Sequence, residues 1–107
     1  VQKYITILDW IKSNSRDSVF MAPESLSQYI PLYSRNYVFW TLYAGQWISK
    51  PERIHDVVSS NTQEKILENL EKYDIDYVVQ DNRDDLLKNS NLKRVYSDNL
   101  YTIYRHN

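Results

Sequence analysis

Cysteine is absent from this chain of 107 residues, which removes disulfides, a thiolate nucleophile and every cysteine-ligated metal site together. The absence fixes no compartment, since reducing and oxidising environments both tolerate cysteine-free domains. Glycine occurs once, at Gly45, so neither a dinucleotide fingerprint nor a P-loop can be built, because both need several glycines where backbone approaches phosphate. The segment after the first expected strand, Pro23-Glu24-Ser25-Leu26, places an acid where an anion would sit. No apolar run approaches the roughly 18 residues of a membrane span. The start, Val1-Gln2-Lys3, shows neither an initiator methionine nor a signal-peptide pattern, and the chain is expected to be one part of something longer. A formal net charge of −1 supplies no overall pull toward phosphate backbones or anionic lipid, so nucleic acid is not expected as a partner.

Other chemistries fall for want of a constellation. The two histidines are His55, mid-helix beside Asp56, and His106, in a tail expected to fray; neither has metal-ligand spacing. No serine is flanked by the glycines of a nucleophile elbow. A phosphoacceptor receiver needs an acidic cluster after the first strand and a lysine late in the sheet, whereas Glu24 is a single acid and Tyr101-Thr102-Ile103-Tyr104 carries no lysine. The carboxylate pairs have structural uses: Asp74 and Asp76 bracket a helix-to-strand turn, and Asp84 and Asp85 are expected to open a helix, where acid suits the dipole. No cofactor and no metal site is expected.

What is present reads as one ordinary globular domain spanning 1–107. Apolar residues are 42% and charged residues 25%, and a chain this long buries about 65% of its unfolded surface, enough for a core without staples. Tyr4, Ile7, Leu8 and Ile11 make the stripe of an opening helix over Gln2 to Ser13, with Trp10 beside it. Ser18 to Ala22 is a short buried strand closed by Pro23. Leu26, Tyr29 and Ile30 repeat at helical spacing until Pro31. Tyr37 to Ala44, aromatic and β-branched, is the second strand and stops at Gly45. Ser49-Lys50-Pro51-Glu52 has the form of a capping box before Ile54, Val57 and Val58.

Asn61 is expected to cap the next helix, with Glu64 reaching back, a stripe of Ile66, Leu67, Leu70 and Tyr73, and a Glu68–Lys72 pair. Its run into Ile75–Val79 changes periodicity within four residues and makes an αβ unit. A brief helix over Asp84–Lys88 and two strands, Leu92–Tyr96 and Leu100–Tyr104, joined by Ser97-Asp98-Asn99, complete the chain. The order predicts an α/β fold: a three-layer, Rossmann-like mixed sheet of about five strands whose last two form an antiparallel edge hairpin.

In such sheets ligands sit outside the carboxyl ends of the strands. Those ends gather Pro23, Glu24, Gly45, Gln46, Trp47, Asp81, Asn82 and Arg83, a composition suited to a carbohydrate- or peptide-facing surface. Glu24, Gln46, Trp47, Asp81 and Arg83 are the candidate ligand-binding residues.

Several phrases, in order along nearly the whole chain, carry a resemblance. They are Leu8-Asp9-Trp10-Ile11-Lys12-Ser13-Asn14, Val19-Phe20-Met21-Ala22-Pro23, Ser27 to Arg35, the strand reaching Gly45, Tyr73 to Val79, and the closing pair Leu92–Tyr96 and Leu100–Arg105. Together they resemble the C-terminal soluble domain of polytopic GT-C type glycosyltransferases, the relatives of dolichyl-phosphate-mannose protein mannosyltransferases in bacteria and archaea. The resemblance implies a non-catalytic accessory domain on the extracytoplasmic face of the cell membrane. Its partners would be the membrane-embedded remainder of the same chain and a glycan or peptide acceptor. The family's catalytic acids lie in loops between membrane helices that this chain does not contain, so no catalytic residue carries over to any position here. An independent soluble binding domain with a Rossmann-like sheet is the alternative, and a small enzyme ranks last because no acid/base or nucleophile pair converges.

Overall fold

Ile7, Leu8 and Ile11 fall on the buried face of helix α1 (Ile5–Asn14), and Tyr4, also buried, ends the 3-10 turn, Gln2–Tyr4, that leads into it. The structure is a computed structural model that describes residues 2–39, 56 and 60–107. Strand β1 (Val19–Met21) follows, then two single helical turns, α2 (Glu24–Ser27) and α3 (Ile30–Tyr33), and strand β2 (Tyr37–Val38). Helix α4 (Gln63–Lys72), strand β3 (Tyr77–Asp81), a 3-10 turn at Asn82–Asp84, strand β4 (Lys93–Ser97) and strand β5 (Tyr101–Arg105) complete the described order. The expected second strand beyond Phe39, Gly45, the Ser49–Glu52 capping box, the Ile54/Val57/Val58 stripe and His55 lie outside the described residues.

Among the described residues the strands form one mixed sheet in the order β2-β1-β3-β5-β4. β1 is parallel to both β2 and β3, and β5 is antiparallel to both β3 and β4, so the last two strands form the expected antiparallel hairpin. Strand alternation divides the core in two. Phe20, Val79, Tyr101 and Ile103 face α1, α2 and α3 through Ile7, Leu8, Ile11, Leu26 and Ile30. Met21, Val78 and Tyr104 face the other way, onto Ile66 and Leu70 of α4 and onto Ile75 and Leu87. That gives the three layers of the expected α/β fold. Between Arg94 and Tyr96 the β4–β5 register slips by one residue, and both Val95 and Tyr96 pack on the α1 side. Trp10 lies between Tyr96 and Tyr77, with ring centroids 5.7 and 6.3 Å away.

Several local expectations shift. Thr62, not Asn61, caps α4, its Oγ1 accepting the Lys65 N–H at 3.1 Å; the cap sits one residue later, and Lys65 rather than Glu64 occupies the third helical position. Lys72 reaches Asp56 at 2.9 Å instead of Glu68, which pairs with Lys65 at 3.9 Å. Pro31 does not end a helix but sits in the first turn of α3, where its missing N–H costs nothing. The strand expected at Ile75 begins at Tyr77 because a Schellman motif comes first: Asp74 adopts φ 53°, its N–H reaching Glu71 O while Ile75 N–H bonds Leu70 O at 2.9 Å. No helix forms over Asp84–Lys88; Asp85 is extended and its Oδ1 takes the Leu87 N–H in a turn. His106 is pinned rather than frayed, its Nδ1 2.7 Å from Ile75 O and its backbone N–H donating to Asp76 O.

The amino edge of the sheet is organised by one buried carboxamide. Asn36 Oδ1 accepts the Ser18 N–H at 3.0 Å, and Asn36 Nδ2 donates to Ser15 Oγ and Ser34 Oγ, each at 3.0 Å. Both hydroxyls in turn donate to the carbonyl four residues back, Ile11 and Ile30, at 2.6 Å. One side chain thereby joins the C-terminal ends of α1 and α3 to the start of β1. Asp17 completes the link in the left-handed region at φ 54°, with its N–H on Arg35 O. Replacing Asn36 with alanine removes the acceptor of the part-buried Ser18 N–H and the donor to two serine hydroxyls, and the expected loss is about 2–3 kcal/mol in urea unfolding. A loss below about 0.5 kcal/mol, the range of ordinary surface changes, would show that water replaces the amide without penalty.

Candidate functional site

β1 and β3 are neighbours in the sheet, yet the chain leaves them toward opposite faces. After β1 it turns to α2, whose Leu26 lies in the α1-side core; after β3 it runs to Leu87 in the α4-side core. A crevice opens where such connections part, outside the carboxyl ends of the strands. There a cavity of about 300 Å³ is lined by Asp81, Asn82 and Arg83 from the end of β3, Ser25 of α2, Asn99, Leu100 and Tyr101 from the hairpin, and Lys3 and Tyr4 ahead of α1. The volume is at the small end of ligand pockets.

Its polar groups are fixed by one another. Arg83 Nε and Nη2 fork onto Asp81 Oδ1 and Oδ2 at 3.1 and 2.8 Å, and the Arg83 backbone N–H also donates to Oδ1, at 2.9 Å. These bonds hold the Asp81 carboxyl below its ordinary range and raise the Arg83 guanidinium above its own. Asn82 Nδ2 donates to Asp98 O and its Oδ1 accepts from Thr102 Oγ1, both at 2.7 Å, which pins the carboxamide plane. Asp98 Oδ1 accepts the Leu100 and Tyr101 N–H groups and so shapes the hairpin turn on the rim. Burial pushes the Tyr101 hydroxyl up, while its contact with Ser25 Oγ at 3.1 Å pulls the other way. Tyr4 and Tyr101 form a tilted aromatic floor, with centroids 6.0 Å apart, and Lys3 Nζ lies 5.2 Å from the Tyr4 ring centre.

Chemically the cavity offers directional hydrogen bonding and a cationic rim. Asp81 is held ionised and Tyr101 neutral around pH 7, so neither has the proton affinity near working pH that general acid–base catalysis calls for. Among the described residues no group of three His, Asp or Glu side chains is placed to hold a metal ion.

Of the residues expected at this edge, Asp81 and Arg83 line the cavity together. Glu24 opens α2 with its side chain exposed and does not line it; Ser25 takes that place. Gln46 and Trp47 lie outside the described residues. Sequence reasoning passed over Lys3, Tyr4, Asn99, Leu100 and Tyr101. The hairpin residues carried a usable signal, since an antiparallel β5 must start where β3 ends, and Asp81 pairs with Tyr101. No local pattern marked Lys3 and Tyr4, which arrive through the packing of α1.

No known family model matches the chain, and no curated protein matches it in sequence.

The Asp81–Arg83 fork has a measurable consequence. Because hydrogen bonds from Arg83 depress the Asp81 carboxyl, its stabilising contribution is present above the unfolded-state value and is lost as pH falls through the lower folded-state one. Carboxyl NMR titration should find Asp81 below the ordinary aspartate midpoint, and Arg83→Ala should move it upward. A midpoint unmoved by that substitution would mean the fork does not persist in solution.

Proposed function

We propose that this chain is a non-catalytic binding domain whose carboxyl-edge cavity holds part of a glycan or peptide acceptor. In this reading it serves as the extracytoplasmic accessory domain of a membrane glycosyltransferase and positions acceptor for the membrane-embedded remainder of the same chain. The observation that carries the binding role is the state of the cavity's polar groups. Asp81, Arg83 and Asn82 are locked into one geometry at the carboxyl edge of the sheet, which suits recognition of a ligand's hydroxyls or amides. The membrane assignment is supported by the order and wording of the sequence phrases alone. Among the described residues no helix is long and apolar enough to cross a membrane, and the spans that this reading requires would belong to other parts of the parent chain.

Two measurements test the two halves. In a heteronuclear NMR titration with oligosaccharides and short peptides, the expected shifts are at Ser25, Asn82, Asn99 and Leu100, with Arg83→Ala weakening binding about tenfold, or 1.4 kcal/mol. Shifts confined to other surfaces would remove the cavity from the account. The coding sequence upstream should specify several spans of about 20 apolar residues. A start codon directly before Val1 would instead favour the alternative, an independent binding domain with the same sheet.

A further inference from the structure

At the opposite, amino edge of the sheet lies a second and larger cavity, about 440 Å³, between the C-terminal ends of α1 and α3. Its polar lining is one-sided. Among the described residues Lys12, Arg16 and Arg35 contribute to the wall, and no carboxylate does. Several acceptors there are already used: Ile11 O and Ile30 O each take a serine hydroxyl and a backbone N–H, Ser15 Oγ and Ser34 Oγ each accept from Asn36, and Arg35 O takes the Asp17 N–H. Among the described residues Lys12 Nζ and the Arg35 guanidinium have no side-chain partner, and Arg16 has only Asp17, at 3.6 Å with both groups exposed, a pair of little strength. The cavity therefore presents surplus donors and positive charge. Its other wall is apolar: Leu32 is 74% exposed and Tyr33 47%. Past Lys12 and Tyr33 the surface continues as a smaller hollow along Ile5, itself exposed, with Asp9 in its wall.

We infer that this amino-edge cavity binds a phosphate-headed amphipathic anion, its head between Lys12, Arg16 and Arg35 and its apolar body along Leu32 and Tyr33. A phosphate monoester brings about −1.5 to −2 charges and three acceptor oxygens, a better match to three cations than a single carboxylate. Exposed leucine and tyrosine beside basic side chains is also the composition that settles at a lipid–water boundary. The net charge of −1 averages over the whole chain; at this cavity the exposed Asp17 stands beside Arg16, while Lys12 and Arg35 are left over among the described residues. The inference is independent of the proposed acceptor site, which lies at the other end of the strands.

The probes are soluble dihexanoyl phosphatidate below its micelle concentration, inorganic phosphate, dihexanoyl phosphatidylcholine, and phosphatidylcholine vesicles with and without phosphatidate. In NMR titrations phosphatidate should shift Lys12, Arg16 and Leu32 to Arg35, binding at least about tenfold tighter than inorganic phosphate or phosphatidylcholine. The double variant Lys12→Gln/Arg35→Gln, both exposed positions, should lose about tenfold in affinity with its thermal melt unchanged, whereas Arg83→Ala should have no effect. Binding to acidic vesicles as well as to the soluble lipid identifies a bilayer as the source, and binding to the soluble lipid alone identifies a free ligand. Equal shifts with phosphatidylcholine, affinity unchanged in the double variant, or no response to phosphatidate in either form would overturn the inference.

Discussion

A buried amide must satisfy its hydrogen bonds inside the protein or destabilise it, and the amino edge of this sheet is arranged around that requirement at Asn36. Its oxygen fixes the entry of β1, its nitrogen fixes the ends of α1 and α3, and the serines it holds give the Ile11 and Ile30 carbonyls a second donor beside a backbone N–H. β1 is only three residues long and buried between two parallel neighbours. A strand so short gains little from its own ladder, so its position depends on what holds its ends. At the start these are Asn36 and the Asp76 carboxylate, which accepts the Val19 N–H at 2.8 Å. The two cavities follow, because the placement of β1 sets both the crevice beside β3 and the gap between the two helix ends.

The two edges end up with opposite polar character. At the carboxyl edge, Asp81 is paired with Arg83, Lys3 lies over the Tyr4 ring, and directional groups are pinned. At the amino edge, the serine hydroxyls and the Asn36 amide bond one another, and among the described residues Lys12 and Arg35 are left over. Positive side chains near helix C-termini have an ordinary use in offsetting the dipole. Here the Ser15 and Ser34 hydroxyls add a bond to the Ile11 and Ile30 carbonyls, and among the described residues Lys12 and Arg35 have no side-chain partner.

Much of the architecture was legible because it rests on periodicity. The Tyr4/Ile7/Leu8/Ile11 stripe, the change of periodicity into Ile75–Val79, and the turn chemistry of Ser97-Asp98-Asn99 are all local signals, and together they predicted the layers and the hairpin. What was not legible depends on side-chain bonds between distant segments. Asn36 reads as a loop residue until Ser15 and Ser18 are placed beside it. Asn69 sits on the buried side of α4 because its amide reaches Ser60 Oγ and Asp56 O. Ile75 reads as strand until the Schellman bond to Leu70 claims its N–H. At the candidate site Asp81 and Arg83 were reachable from the rule that ligands gather at strand ends, whereas Lys3 and Tyr4 needed the packing of α1. Glu24 was drawn in by the same rule and excluded by the direction of α2.

The central claim is that the Asn36 network closes the amino edge as firmly as the sheet itself. Native-state amide hydrogen exchange reads this directly, since it reports the free energy of local opening at each N–H. The account predicts that the Ser18 and Asp17 amides, bonded to Asn36 Oδ1 and Arg35 O, exchange as slowly as Val78 and Ile103 in the central strands. Exchange at the rate of exposed turn amides such as Asn99 would contradict it, for the edge would then open without the core.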